Sequence, residues 1–283
     1  MKSLYDVPAP AKLNLFLHVT GRRDDGYHLL QSVFMLIDWC DTLHFERRSD
    51  AQIHRQDLSV PLPADDLITR AARLLQSHTG CTAGVDIAVD KRIPAQAGMG
   101  GGSSDAASCL LALNRLWDLK LPLSVLQTLG LQLGADVPFF LGGRNAWVEG
   151  IGEQLSPVDL PAARFCVIKP PTGLETAQIF RDPRLNRATK PATISVFAAD
   201  PYDFGHNDLQ PVAESLCPDI AQARECMAQA GMKARMTGSG SAVFALCQAP
   251  GQSKQVQVPE SWLLQECSNM EVHPLVGWAS SDN

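Results

Sequence analysis

The stretch that most constrains this chain is Pro94-Ala95-Gln96-Ala97-Gly98-Met99-Gly100-Gly101-Gly102-Ser103-Ser104, a glycine-rich loop running straight into an alanine- and leucine-rich segment. Glycines at 98, 100, 101 and 102 leave the backbone free to take positive φ, so that successive N–H groups converge on an anion. A helix starting there aims the positive end of its dipole at the same point. The pattern therefore points to a phosphate, with a ligand-free structural turn as the plain alternative. Two familiar phosphate loops do not fit. No lysine follows Gly102, as a Walker A loop requires, and Ser103 stands where a dinucleotide-binding fingerprint needs its third glycine. Ser103 and Ser104 are suited to capping the helix while turning a hydroxyl toward a phosphate or its metal.

Whatever phosphate binds must be held by local groups. The chain has 30 acidic against 24 basic residues, a net charge of −6 and no long basic run, which argues against a nucleic-acid or anionic-membrane surface. Its 283 residues, 45% of them apolar, suffice for two modest domains or one large one. The eight cysteines are scattered without a Cys-x-x-Cys pair and read as reduced, packed thiols of a cytoplasmic protein. The first apolar run is interrupted by Lys12 and Asn14, so neither a signal peptide nor a membrane span is expected there.

Residues 11–19 alternate as a strand, with Leu13, Leu15, Leu17 and Val19 on one face and Lys12, Asn14, Phe16 and His18 on the other. A polar turn over 21–26 leads to strands expected at 29–38 and 42–47. Leu67, Ile68, Ala71, Ala72, Leu74 and Leu75 recur at helical spacing ahead of Gly80, a C′ glycine. Val85, Ile87 and Val89 form a strand that feeds the glycine loop, and the helix beyond is expected over about 104–117, with another beginning after a Ser124 cap. Asp136, between Gly134 and Pro138, is either a turn or N-cap aspartate or a working carboxylate. Beyond about 155 prolines multiply and helical stripes thin out, which places a domain boundary there, giving segments 1–155 and 156–283. In the second, Met236-Thr237-Gly238-Ser239-Gly240-Ser241 is another small-residue loop, ahead of an apolar strand. Periodicity alone says only mixed α/β.

Three segments taken in series are more specific. Pro8-Ala9-Pro10-Ala11-Lys12-Leu13-Asn14-Leu15, the loop at 94–104 with Asp105-Ala106-Ala107, and Met236 to Ser241 resemble, in order, the three motifs of the GHMP small-molecule kinases. Gly26-Tyr27-His28, Gly134 to Pro138, Glu149-Gly150-Ile151-Gly152-Glu153 and Asn207-Asp208-Leu209 resemble the pattern of the 4-diphosphocytidyl-2-C-methyl-D-erythritol kinase family, which serves the non-mevalonate isoprenoid route. The likeness spans nearly the whole chain and is weakest over 182–200 and after 250.

The resemblance implies an α+β, two-domain GHMP kinase fold: an N-terminal ATP-binding domain (1–155), a C-terminal domain (156–283), and an active site in the cleft between them. It implies ATP and Mg²⁺ as cofactors and CDP-methylerythritol as the substrate, phosphorylated on its 2-hydroxyl. Carried over residue by residue, Asp136 is the catalytic base and Lys12 its cationic neighbour. The stretch from Pro94 to Ser104 wraps the ATP phosphates, and Lys91 lies near the adenine. Asn14 and Thr176 line the methylerythritol end, His28 reads the cytosine, and Tyr27 and Phe180 sandwich it. No carboxylate cage for a metal is expected. Where relatives often carry Asn-Leu at an adenine contact, this chain has Asp66-Leu67, and an aspartate cannot donate as an amide does. The rival readings are a homoserine- or mevalonate-type kinase, which needs no pyrimidine pocket, and a non-catalytic nucleotide-binding module.

Overall fold

The computed structural model describes residues 1–280. The chain opens on a long antiparallel hairpin, β1 (Ser3–Arg22) and β2 (His28–Arg48). β2 merges the two strands expected at 29–38 and 42–47, and the pairing changes register between Pro10 and Lys12 and again between Asn14 and Leu17. Such irregularities bend a strand and re-aim its side chains. β3 (Ile53–Asp57), α1 (Leu67–Thr79), β4 (Gly84–Asp90), α2 (Gly101–Leu116), α3 (Leu123–Leu133), α4 (Val137–Gly142), β5 (Ala146–Glu149) and β6 (Gln154–Pro157) follow. Together they build a six-stranded sheet in the order β3-β4-β2-β5-β6, with β1 also paired to β2.

Helix limits follow local chemistry. α1 is capped by Asp66, whose carboxylate accepts from the Thr69 N–H, and ends at Gly80 in the left-handed region. α2 starts earlier than its hydrophobic stripe suggests, at a Gly100 cap with positive φ, so Ser103 and Ser104 sit inside the first turn and cap nothing. α3 begins at Leu123 behind Pro122, one residue ahead of the expected Ser124 cap. α2 is buried along most of its length. It packs with α1, α3 and the sheet into one core of Leu36, Phe45, Leu75, Val89, Leu110 and Phe140 among others.

The second half holds β7 (Arg164–Lys169), α5 (Thr176–Arg181), α6 (Ile194–Ala199), α7 (Gln210–Leu216), α8 (Pro218–Gln229), β8 (Ala234–Met236), β9 (Val243–Leu246) and β10 (Leu263–Ser268). Its four strands pair in the order β10-β7-β9-β8. β1 does not stay with its own sheet. Leu17 and Val19 enter the core of the second half beside Ile168, Val212 and Ile220. A third core joins Leu13, Leu15, Phe16 and Trp147 to Phe165, Phe197 and Phe244. The expected one-sided strand at 11–19 is thus buried on both faces, because one sheet lies on one side and the second half closes over the other. The C-terminal segment returns to the first half, where Met270 N–H donates to Leu36 O at 2.9 Å and His273 N–H to Gly143 O at 2.8 Å.

One buried side chain ties the halves at β1. The Arg235 guanidinium donates to the carbonyls of Leu15 (2.7 Å), Phe204 (2.5 Å) and Tyr202 (3.1 Å). Replacing Arg235 with Met strands the buried Leu15 carbonyl and leaves two part-buried ones without their donor, so unfolding free energy should fall by about 2–4 kcal/mol. In urea the midpoint drops while the slope stays unchanged; an unaltered midpoint would show that Arg235 does not join the two halves.

Candidate active site

Where β1, the glycine loop and the second half meet there is a cavity of about 550 Å³. Every residue from Pro94 to Ser103 lines it, as do Lys12, Asn14, Lys91, Asp136, Thr176 and Phe180. The first and third motifs complete it through the loop at 236–241. Ser241 N–H donates to Gln96 O (3.1 Å) and Ala242 N–H to Ala97 O (3.2 Å). The glycine at 98 is required by this contact. Its φ is +71°, and a Cβ there would lie 2.3 Å from Thr237 O, nearer than real carbons approach an oxygen.

Lys12 is the centre of the site. Its residue is 3% exposed, yet its Nζ is surrounded by acceptors: it donates to Asn14 Oδ1 and to Gly98 O at 2.9 Å, and lies 3.7 Å from Asp136 Oδ2. The Phe34 ring sits below it, 4.8 Å from the ammonium. A Cβ on Gly100 would come within 3.3 Å of Lys12 Cε, so the glycine loop is open there to let the lysine through. Burial lowers the Lys12 pKa, and the Asp136 charge opposes that shift. Asn14 is itself fixed, donating from Nδ2 to Ser32 Oγ (2.9 Å) and from its backbone N–H to Thr237 Oγ1 (2.9 Å).

Asp136 immediately precedes α4 but makes no side-chain capping bond. Its side chain is 30% exposed, so the carboxylate faces Lys12 and the cavity, and the plain N-cap reading fails. Ser103 faces the cavity, whereas the Ser104 hydroxyl is fully buried and has no hydrogen-bond partner. Among the two serines, Ser103 is the one placed to meet a ligand.

At the other end of the loop Lys91 is held between two buried carboxylates, Asp41 and Asp105. Asp41 also accepts the backbone N–H groups of Arg92 (2.5 Å) and Ile93 (2.8 Å). Burial raises the Asp105 pKa to about 8 against the pull of Lys91. Asp66 is not a free acceptor: Thr69 donates to it from N and Oγ1, and Arg55 pairs with it at 2.7 Å.

The residues expected to meet the pyrimidine are only partly gathered. His28 stacks on Phe180 with centroids 4.9 Å apart and planes tilted by 30°. Thr176 Oγ1 is 2.7 Å from Ser239 Oγ. Tyr27 is 59% exposed, and neither it nor His28 lines the cavity, although His28 packs on Phe180, which does. Burial, then the charges of Arg187 and Arg22, lower the His28 pKa. Sequence reasoning gave no role to Asp41, Asp105 or Arg187. Asp105 carried a signal as an acid inside a helix start; Asp41 and Arg187 carried none.

Residues 66–144 match the model for the GHMP kinases N terminal domain and 197–261 that for the GHMP kinases C terminal. Over 99% of its length the chain is 62% identical to the full-length 4-diphosphocytidyl-2-C-methyl-D-erythritol kinase of Variovorax paradoxus (strain S110). The chain belongs to the 4-diphosphocytidyl-2-C-methyl-D-erythritol kinase family of GHMP kinases. A crystal structure of 4-(cytidine 5'-diphospho)-2C-methyl-D-erythritol kinase superposes with a TM-score of 0.79 at 34% identity, covering 95% of this chain and 99% of that one. The homoserine kinase of Cytophaga hutchinsonii ATCC 33406 superposes with a TM-score of 0.68 at 15% identity over 96% of both chains, which shows a shared GHMP kinase fold alone.

Two consequences of the geometry are measurable. Asp136→Asn keeps size and removes the carboxylate; if that group accepts the proton, kcat should fall roughly 10²- to 10⁴-fold with nucleotide affinity nearly intact, and turnover within twofold of the parent would remove Asp136 from the chemistry. An ammonium with a lowered pKa loses its proton at a lower pH than an ordinary lysine. The alkaline limb of kcat/KM, which reports the free enzyme, should therefore begin below the ordinary lysine value of 10.5. Lys12→Arg should move that limb upward, and a limb unmoved by the substitution would assign it to another group.

Proposed function

We propose that this cavity is where the γ-phosphoryl group of ATP passes to an alcohol, with Lys12 and Asp136 flanking the reacting atoms. The chain phosphorylates 4-diphosphocytidyl-2-C-methyl-D-erythritol, a step of the non-mevalonate isoprenoid route, with ATP as the phosphoryl donor. The observation that carries the reading is the convergence of Lys12, from the first strand, with Asp136, from the turn before α4, at the mouth of the glycine loop.

Phosphoryl transfer passes through a loose transition state in which negative charge spreads over the equatorial oxygens, so the protein contributes chiefly alignment and positive charge. Lys12 supplies that charge from a site shielded from water, where it acts more strongly than it would in solvent. Asp136 accepts the proton of the acceptor hydroxyl as its oxygen attacks. Asn14 orients the ammonium and, with Thr176, borders the end of the cavity that receives the methylerythritol. The N–H groups from Gly98 to Ser103 and the N-terminus of α2 hold the phosphates, and Lys91 marks the nucleoside end.

Magnesium fits this donor set only as a passenger of the triphosphate. Among the described residues no group of three or more His, Cys, Asp or Glu side chains is arranged to hold a metal, and Mg²⁺ bound through phosphates and water needs none. Ser103 is the hydroxyl nearest to that role. The boundary near 155 separates a nucleotide-holding half from a closing half, with β1 and the C-terminal segment crossing between them. Among the described residues no helix is long and apolar enough to cross a membrane.

An ADP-release assay separates the rival alcohols. CDP-methylerythritol should support turnover with kcat/KM at least about 10³-fold above that for mevalonate or homoserine, because a site that pairs with a base loses those bonds with an alcohol that lacks one. Comparable rates on all three would return the chain to a broad GHMP kinase, and no turnover on any would favour a binding module.

A further inference from the structure

The stretch 182–200, one of the two where the family likeness is weakest, brings an arginine against His28. Arg187 Nε donates to His28 Nε2 at 3.0 Å. The same guanidinium is tied on its other side: Nη1 donates to Leu185 O at 3.0 Å, and Nη2 to Phe180 O at 2.9 Å and Asp182 O at 2.8 Å. One planar group thus braces both the histidine and the aromatic ring stacked on it.

A guanidinium has donors only and does not deprotonate in proteins. A ring nitrogen that accepts from it must present a lone pair, so His28 Nε2 carries no hydrogen. The neutral ring then has its proton on Nδ1, and the doubly protonated ring is excluded while the bond lasts. The charge of Arg187 works in the same direction, lowering the His28 pKa after burial has done so. Among the described residues none accepts from Nδ1. Which nitrogen bears the proton follows here from the partner, as it does for histidines that ligate metals.

We propose that Arg187 is a specificity-determining residue, which fixes His28 as an Nδ1–H donor and so selects a base whose matching edge accepts. This rests on the reading of His28 as the residue that meets the pyrimidine. Cytosine presents an unprotonated N3 beside its O2, two acceptors side by side. Uracil carries a hydrogen on N3 and meets a fixed donor with a donor. A histidine free to exchange tautomers would tolerate both; one locked by Arg187 does not. Arg187 touches no reacting atom, so its influence falls on binding and base preference and leaves the chemical step alone.

The test uses the full chain in three measurements. Two-bond ¹H–¹⁵N correlation spectra of the labelled protein at neutral pH should show the His28 ring neutral with its proton on Nδ1. Steady-state kinetics with CDP-methylerythritol and its uridine counterpart should then show Arg187→Met raising KM for the cytidine substrate about tenfold. Its kcat should stay within about threefold. The preference for cytidine over uridine should fall about tenfold, and Arg187→Lys, which keeps a donor without the braced fork, should recover part of it. A proton on Nε2 in the unmodified protein, or a base preference unchanged in both variants, overturns the proposal. His28→Ala tells the two levels apart. If it abolishes base preference while the Arg187 variants retain it, only the role of Arg187 fails; if it leaves base preference intact, the reading of the pocket itself fails. Should Arg187→Met not fold, the spectrum of the unmodified protein still decides the tautomer.

Discussion

An ammonium group kept from water in the middle of β1 is the constraint around which this molecule is arranged. Removing a lysine from solvent is costly unless its donors find acceptors and its charge finds a counterpart. Lys12 meets that condition with Asn14, Gly98 and Asp136, contributed by β1, the glycine loop and the turn before α4. None of these segments can shift alone. The irregular register of the β1–β2 pairing between Pro10 and Leu17 aims Lys12 and Asn14 at the loop. Gly100 clears the space the lysine stem crosses, and the loop at 236–241 backs the glycine loop from the other side.

The same arrangement explains why β1 belongs to both halves. A strand covered on one face by its sheet and on the other by the second half brings the glycine loop, Thr176 and Phe180 to a common cavity. The bonds that join them run through the backbone of β1: Leu17 N–H to His206 O at 2.9 Å, Val19 N–H to Asp208 Oδ2 at 2.7 Å, and Asn14 N–H to Thr237 Oγ1 at 2.9 Å. Closure of the halves on a ligand would therefore flex the loops lining the cavity while leaving this strand fixed. The eight cysteines are all free. Burial pushes the thiol of the buried Cys166 up to about 12 and that of the half-buried Cys40 up to about 11, which suits these two to packing and not to nucleophilic attack.

What could be read without coordinates was what local chemistry determines. The helix ending at Gly80 and the strand from Val85 to Val89 depend on nearest neighbours, and each stands where the residues place it, whereas α2 takes in the last four residues of the expected glycine loop. The pairing of Lys12 with Asp136 was available only through motif resemblance, because no spacing rule links residues so far apart. Other features were hidden for physical reasons. Ser103 and Ser104 are good capping residues, yet Gly100 takes the cap because the loop needs its positive φ. Tyr27, beside His28, stays exposed beyond the turn at 21–26, so its expected stacking role rests on motif resemblance alone. Asp41 and Arg187 lie in segments with no periodicity of note, and only the folded chain brings one to Lys91 and the other to His28.

The most direct test of the central claim is a crystal structure of the chain with a non-hydrolysable ATP analogue and CDP-methylerythritol bound together. The terminal phosphorus should lie beside Lys12 Nζ, with the 2-hydroxyl oxygen in line at about 3–3.5 Å and hydrogen-bonded to Asp136. A ternary complex with the terminal phosphate outside the Gly98–Ser103 cradle, or with the acceptor hydroxyl turned from Asp136, would contradict it.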